Sequence, residues 1–264
     1  MTPRSALLNV MTRAVDKAAR ALKRDFGEVE QLQVSTKGPS DFVSNADLKA
    51  ERILREELAK ARPGYAFLAE ESGATAGTDS EHRWIIDPLD GTTNFLHGLP
   101  HFAISVALER AGELVAGVVY DPIKDEMFLA EKGGGAFLND RRLRVSARKN
   151  LGESLLATGI PFRGHGGTED FKRQLDFAMN ETAGVRRLGA AALDLAYVAA
   201  GRFDGYWERE INAWDMAAGL VIVREAGGFA EAVREGRGIF DSGSVIAANA
   251  DLFAPFAAVL RAPE

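Results

Sequence analysis

The chain has 264 residues, 46% of them apolar and 27% charged, with a formal net charge of −6 and no cysteine. That length allows one large domain or two intimate halves around a substantial core. Disulfides, thiolate metal sites and cysteine nucleophiles are excluded, and the acidic balance speaks against direct nucleic-acid binding. No run approaches the roughly 18 apolar residues that span a bilayer, so the expectation is a soluble, cytoplasmic protein with no membrane partner.

Leu7, Val10, Met11, Ala14, Val15, Ala18 and Leu22 recur at helical spacing. This predicts an amphipathic first helix rather than the contiguous apolar stretch of a signal peptide. A polar stretch from Lys37 to Asp47 then caps a second helix, Asn45 to Lys60, with Ala46, Ile53, Leu54 and Leu58 facing inward. After Pro63-Gly64, the apolar strand Tyr65–Ala69 hands the chain to Glu70-Glu71.

The most informative stretch follows. Trp84-Ile85-Ile86 reads as the end of a buried strand that delivers Asp87 and Asp90 into a turn set by Pro88 and Gly91. Thr92-Thr93-Asn94 opens a turn or two of helix, ended by Gly98 and Pro100. Taken alone, Asp-Pro-Leu-Asp-Gly is an ordinary turn. Here, paired carboxylates with a backbone carbonyl between them suit a hard cation such as Mg²⁺, and the helix start offers N–H groups to an anion. A metal site beside a phosphate site points to phosphoryl chemistry.

Strands are predicted at Phe102–Leu108, Leu114–Tyr120 and Glu126–Ala130, and Gly133-Gly134-Gly135 reads as a hairpin turn rather than a phosphate loop, since it lacks the lysine. Arg141 to Lys149 is a basic cluster of the kind that forms a solvated face. The organisation changes near Asn150, giving one domain with subdomains at about 1–149 and 150–264. The second half alternates strand Leu155–Gly159, helix Glu169–Met179, strand Gly184–Leu188, helix Ala190–Ala200, strand Phe203–Glu208, helix Asn212–Ala226, strand Val245–Ala248 and helix Asp251–Leu260. Such alternation implies a sheet covered by helices on both faces. Asp215 falls in the first turn of its helix, where a carboxylate suits the dipole. The small residues Ala217, Ala218 and Gly219 beside it predict a tight contact.

Together, Asp87-Pro-Leu-Asp90-Gly-Thr-Thr-Asn94, Glu70-Glu-Ser, Gly189-Ala-Ala-Ala-Leu-Asp194 and Trp214-Asp-Met-Ala-Ala-Gly219 resemble the motifs of the inositol monophosphatase family, in order and over nearly the whole chain. The resemblance implies a mixed α/β fold, the layered αβαβα sandwich, and Mg²⁺-dependent hydrolysis of a phosphorylated polyol. It implies two or three Mg²⁺ per site. Glu70, Asp87 and the Leu89 carbonyl would hold the first, and Asp87, Asp90 and Asp215 the second, while Lys37, Asp41 and Asp47 would lie near a third. Glu70, Thr92 and Asp90 would be catalytic, and Gly91, Thr92, Ala191, Glu208 and Asp215 would contact substrate. None of the four histidines, His82, His97, His101 and His165, is given a role. A cytoplasmic homodimer and lithium sensitivity are implied as well.

Electrostatics agrees with this assignment. Each close pair of ionised carboxylates costs about 4 kcal/mol at an effective dielectric of 20, so such a cluster needs cations to stay charged. Within the same chemistry, sugar bisphosphates, 3′-phosphoadenosine phosphates and histidinol phosphate are alternative substrates, with Glu208 favouring inositol phosphate. Some bacterial relatives join transcription complexes, and Arg141, Arg142, Arg144, Arg148 and Lys149, or Arg186-Arg187, offer such a partner a basic surface.

Overall fold

Helix α1 (Ala6–Phe26) forms where the 3–4 spacing places it, with the Ser5 hydroxyl accepting from the Leu8 N–H at 3.1 Å as its N-cap. Helix α2 (Asn45–Ala61) starts with a capping box: Ser44 caps the helix while Asp47 accepts from the Ser44 N–H. The computed structural model describes residues 5–28, 34–38, 41–161 and 167–261, with backbone alone at 34–38 and 41–43.

Between these helices β1 (Val34–Gly38) and β2 (Asp41–Ser44) form a ribbon. A second sheet comprises β3 (Ala66–Ala69), β4 (Gly73–Thr75), β5 (His82–Asp90), β6 (Ala103–Arg110), β7 (Glu113–Asp121), β8 (Glu126–Glu131), β9 (Gly135–Leu138) and β10 (Arg141–Arg142). Its order is β10-β9-β8-β7-β6-β5-β3-β4, so β5 lies between β3, which it parallels, and the antiparallel β6. A third sheet contains β11 (Leu155–Thr158), β12 (Gly184–Arg186), β13 (Gly205–Arg209), β14 (Phe229–Glu231) and β15 (Ser244–Ala248), in the order β12-β11-β13-β15-β14. The remaining helices are α3 (Thr92–Leu96), α4 (Thr168–Glu181), α5 (Ala191–Ala199), α6 (Ala213–Glu225), α7 (Ile239–Ser242) and α8 (Ala250–Arg261).

Strand alternation sorts the apolar residues into layers. Trp84 and Ile86 of β5 face α1 and α2, packing with Leu22, Leu54 and Leu58, whereas Ile85 faces the opposite way, toward Leu193, Leu195 and Leu220 of α5 and α6. In the later sheet, Tyr206 and Ala247 look toward α5 and α6, while Trp207 and Ile246 look outward to Phe171 of α4 and Phe256 of α8. The result is helix, sheet, helix, sheet, helix. Alternation read as one sheet covered on both faces is therefore corrected to two large sheets with α5 and α6 between them.

The small residues of α6 make the middle layer thin. A Cβ on Gly219 would sit 2.6 Å from the Leu195 Cβ of α5, and one on Gly117 of β7 would sit 2.5 Å from the Ala218 carbonyl. The basic cluster is also more than a solvated face: Arg141 and Arg142 form edge strand β10, and Arg148 pairs at 3.1 Å with the buried Asp204. Gly133–Gly135 does form the β8–β9 turn, where the Gly133 and Gly135 N–H groups each donate to the Glu225 carboxylate at 2.8 Å.

Candidate active site

The turn expected after Ile86 is instead a continuation of the strand. β5 runs on through Pro88 to Asp90, and its pairing with β6 shifts register between Asp87 and Asp90. This irregularity accommodates Pro88, which has no N–H for the ladder. Asp87, deep at 1% exposed, accepts from the Leu89 N–H at 2.9 Å. The chain reverses at Gly91, whose φ of +92° is left-handed, and a Cβ there would approach the carbonyls of His101 and Gly189 at 3.1 and 3.3 Å. Helix α3 is only five residues long, so an anion at its start would be held by individual N–H groups more than by a helix dipole.

Three further elements converge on the end of β5. Glu70 leaves β3 directly beside it, its N–H donating to the Ile86 carbonyl at 3.1 Å. The next turn is held from α2: the Glu51 carboxylate accepts from the N–H groups of Glu71 and Ser72 at 2.8 and 3.1 Å. From the second half, Asp215 stands in the first turn of α6 and accepts from the Asn212 N–H at 2.6 Å. Helix α5 starts at Ala191, and the Ala192 N–H donates to Asp90 Oδ2 at 2.7 Å. Asp90 thus supplies the acceptor that the N-cap of α5, Ala190, does not.

Burial, followed by the charges of Glu70, Asp90 and Asp215, pushes the Asp87 carboxyl well above its ordinary range. Burial and then Asp215 do the same to Asp90, against the opposing Ala192 hydrogen bond. Glu70, Asp87, Asp90 and Asp215 are therefore one electrostatic group. They do not form a closed cage: among the described residues no three Asp, Glu or His side chains surround a common point at ligand spacing. Asp87, Asp90 and Asp215 each use one oxygen to grip backbone N–H groups, which fixes their orientation and leaves a second oxygen on each carboxylate. The donors are all oxygen, anionic and partly buried, a set that fits a hard divalent cation.

Thr92 Oγ1 lies 3.0 Å from both Asp47 Oδ1 and the Leu89 carbonyl, so its single proton is shared between two acceptors. Asp47 is fully buried and also accepts from the Ser44 N–H and hydroxyl at 2.9 and 2.6 Å. The start of α2 is thereby tied to Thr92. The side chains of Lys37 and Asp41, expected nearby, lie outside the described residues, as does His165.

Facing this group from the third sheet is a second acidic set. The Glu208 carboxylate accepts a hydrogen bond from the Tyr206 hydroxyl, and burial pushes its pKa up to about 7 against the opposing pull of Tyr206 and Arg187. A Cβ on Gly159 would overlap the Glu208 carboxylate, so only glycine fits beneath it. Asp194, 1% exposed, is raised well above its usual range by burial and then by Glu208 and Asp90. Arg187, expected as part of a basic surface, instead lowers the pKa of both Asp194 and Glu208. Ala191 is buried at the head of α5. Asn94 locks the two sides together, its Nδ2 donating to the carbonyls of His101 and Leu188 at 2.8 Å each.

Two large sheets in alternating helical layers, with an all-oxygen acidic centre at their junction, define the class: a layered α/β protein of the phosphatase type. The chain belongs to the inositol monophosphatase family, whose model matches residues 4–262. It is 60% identical to the inositol-1-monophosphatase of Rhizobium meliloti over 98% of each chain. It is also 43% identical to Nus factor SuhB of Escherichia coli K12, over 92% of this chain and 91% of that one. The structure of extragenic suppressor protein suhB from Bartonella henselae superposes with a TM-score of 0.95 at 55% identity, covering 98% of this chain and all of that one.

Proposed function

We propose that the protein hydrolyses a phosphate monoester carried on a polyol, with myo-inositol-1-phosphate preferred, in a Mg²⁺-dependent reaction. The observation that carries this reading is the buried Asp87 carboxyl lying in the summed negative field of Glu70, Asp90 and Asp215. Glu70, Asp87 and the Leu89 carbonyl would hold one Mg²⁺, and Asp87, Asp90 and Asp215 another. When bound, the ions neutralise the cluster and lower the pKa of a coordinated water.

The chain's own groups do the positioning. Thr92 Oγ1, fixed between Asp47 and the Leu89 carbonyl, orients the attacking water together with Glu70. The Gly91 and Thr92 N–H groups bind the phosphate at the point where the backbone turns. Glu208, steadied by Tyr206, accepts from substrate hydroxyls, and the small Ala191 leaves space for the ring. The printed names of the relatives favour inositol-1-phosphate among phosphate monoesters.

Phosphate release from inositol-1-phosphate, fructose-1,6-bisphosphate, 3′-phosphoadenosine 5′-phosphate and histidinol phosphate tests this. Preference for the first, abolished by EDTA, is expected. Preference for another ester would overturn the substrate while keeping the mechanism. A homodimer, Li⁺ inhibition and a cytoplasmic location complete the reading; light scattering and a Li⁺ titration test the first two.

A second reading, a binding role in transcription beside the chemistry, is favoured by the likeness to Nus factor SuhB and by Arg141 and Arg142 on an exposed sheet edge. Retention on immobilised transcription complexes, lost in Arg141→Ala/Arg142→Ala, would support it.

A further inference from the structure

The strand that carries Asp87 and Asp90 begins at His82, roughly 25 Å away at about 3.3 Å per residue. At that far end lies a cleft of about 310 Å³, within the size range of small-molecule sites. Its cations come from separate elements: Arg62 caps the end of α2, Arg110 ends β6 opposite His82, and Lys132 follows β8. Glu131 is the one carboxylate in the lining.

The cations are not equally engaged. Lys132 pairs with Glu113, an exposed contact of little energetic weight. Arg62 donates to the neutral Ala61 carbonyl at 2.9 Å, and Arg110 feels Glu113 only as a field that the lysine already meets. Neither arginine forms a salt bridge among the described residues. On a chain of net charge −6, these two guanidiniums make a local excess of positive charge.

The remaining walls are apolar and rigid. Leu108 and Val115 are 3% and 9% exposed and form the floor. The Tyr65 ring stacks on His82 at 4.4 Å and 6°, and the His82 Nδ1 lies 3.0 Å from the Asp79 carboxylate, which fixes the imidazole. Guanidiniums recognise phosphate through paired N–H groups, and an aromatic and aliphatic wall takes an apolar body. We propose that this cleft is a second binding site, separate from the acidic centre, for a small organic anion carrying a phosphate on an apolar ring.

Titration calorimetry of the full chain with phenyl phosphate in EDTA tests this. One equivalent is expected to bind, more tightly than inorganic phosphate. Arg62→Ala/Arg110→Ala should weaken binding by about tenfold or more, since each charge-assisted contact is worth about 1.5–3 kcal/mol, and Glu131→Gln should tighten it. Asp87→Asn should leave it unchanged. The double variant changes exposed side chains at element ends, so its melting and its phosphatase activity should match the parent's. Absence of binding, equal affinity in the double variant, or loss in Asp87→Asn would overturn the proposal. Equal affinity for inorganic phosphate would overturn the apolar part of it.

Discussion

Two buried acidic groups face each other across the junction of the sheets, and they differ in how their charge is met. Around Asp87 and Asp90, the neighbouring charges are all carboxylates, and the only opposing influence on Asp90 is one backbone N–H. Around Glu208 and Asp194, the chain supplies its own relief: Arg187 opposes both shifts, and Tyr206 donates to Glu208. The first group has a deficit that only something from outside can fill. The second is compensated internally, so it can present a carboxylate to a neutral, hydroxyl-rich ligand. One side is arranged for ions and phosphate and the other for recognition.

The largest expected effect strikes the first group. Asp87→Asn should lower turnover by about 10³-fold or more, since charge stabilisation at a metal site is worth several kcal/mol. The metal-free variant should melt no lower than the parent, because a repelling charge is gone. Undiminished phosphate release in this variant would erase the distinction between the two sides.

Stability against pH sharpens the same contrast. A carboxyl whose folded pKa is raised stabilises the fold fully below its unfolded pKa and loses that contribution as pH rises through the folded value. For Glu208 the window runs from the ordinary 4.5 to about 7, worth about 3 kcal/mol, and the raised Asp87, Asp90 and Asp194 act in the same direction. Urea melts in EDTA should therefore show stability falling from pH 5 to pH 8. Mg²⁺ should cancel the part due to Asp87 and Asp90 and leave the Glu208 part. A flat profile in EDTA would contradict the raised values.

A smaller effect separates recognition from chemistry. Glu208→Gln keeps an acceptor for Tyr206 but loses the charge, so kcat/KM for inositol-1-phosphate should fall about 10–100-fold. An aryl phosphate without ring hydroxyls should be hydrolysed as before. Equal losses on both substrates would move Glu208 to the chemical side.

Local pattern made the long helices and the apolar strands legible, because each buries a face whose period appears in the sequence. The carboxylates of β5, the glutamate leaving β3 and the aspartate opening α6 were legible too, as acids at element ends beside turn residues. Contacts between distant segments were not. Asp47 and Thr92 are 45 residues apart, and Asp90 and Ala192 are 102 apart, so nothing local announces either hydrogen bond. Arg187 reads as surface charge until the fold turns it toward Glu208. The continuation of β5 through Pro88 depends on a register shift that only the partner strand reveals.

The Asp90–Ala192 hydrogen bond gives the finest test, because one side chain there serves both sides of the comparison. Asp90 belongs electrostatically to the first group, yet it caps α5, the helix that carries Ala191 and Asp194. Asp90→Asn and Asp90→Ala should both abolish turnover, since neither leaves a carboxylate. In EDTA, where no ion contributes, they should part. Asparagine retains an acceptor for the Ala192 N–H, whereas alanine leaves the first turn of α5 without one, at a cost of about 1–2 kcal/mol. Urea denaturation should place the alanine variant below the asparagine variant by that amount. Equal stability would mean that water satisfies the α5 N-terminus as well as Asp90 does, so that burial of Asp90 serves the chemistry alone.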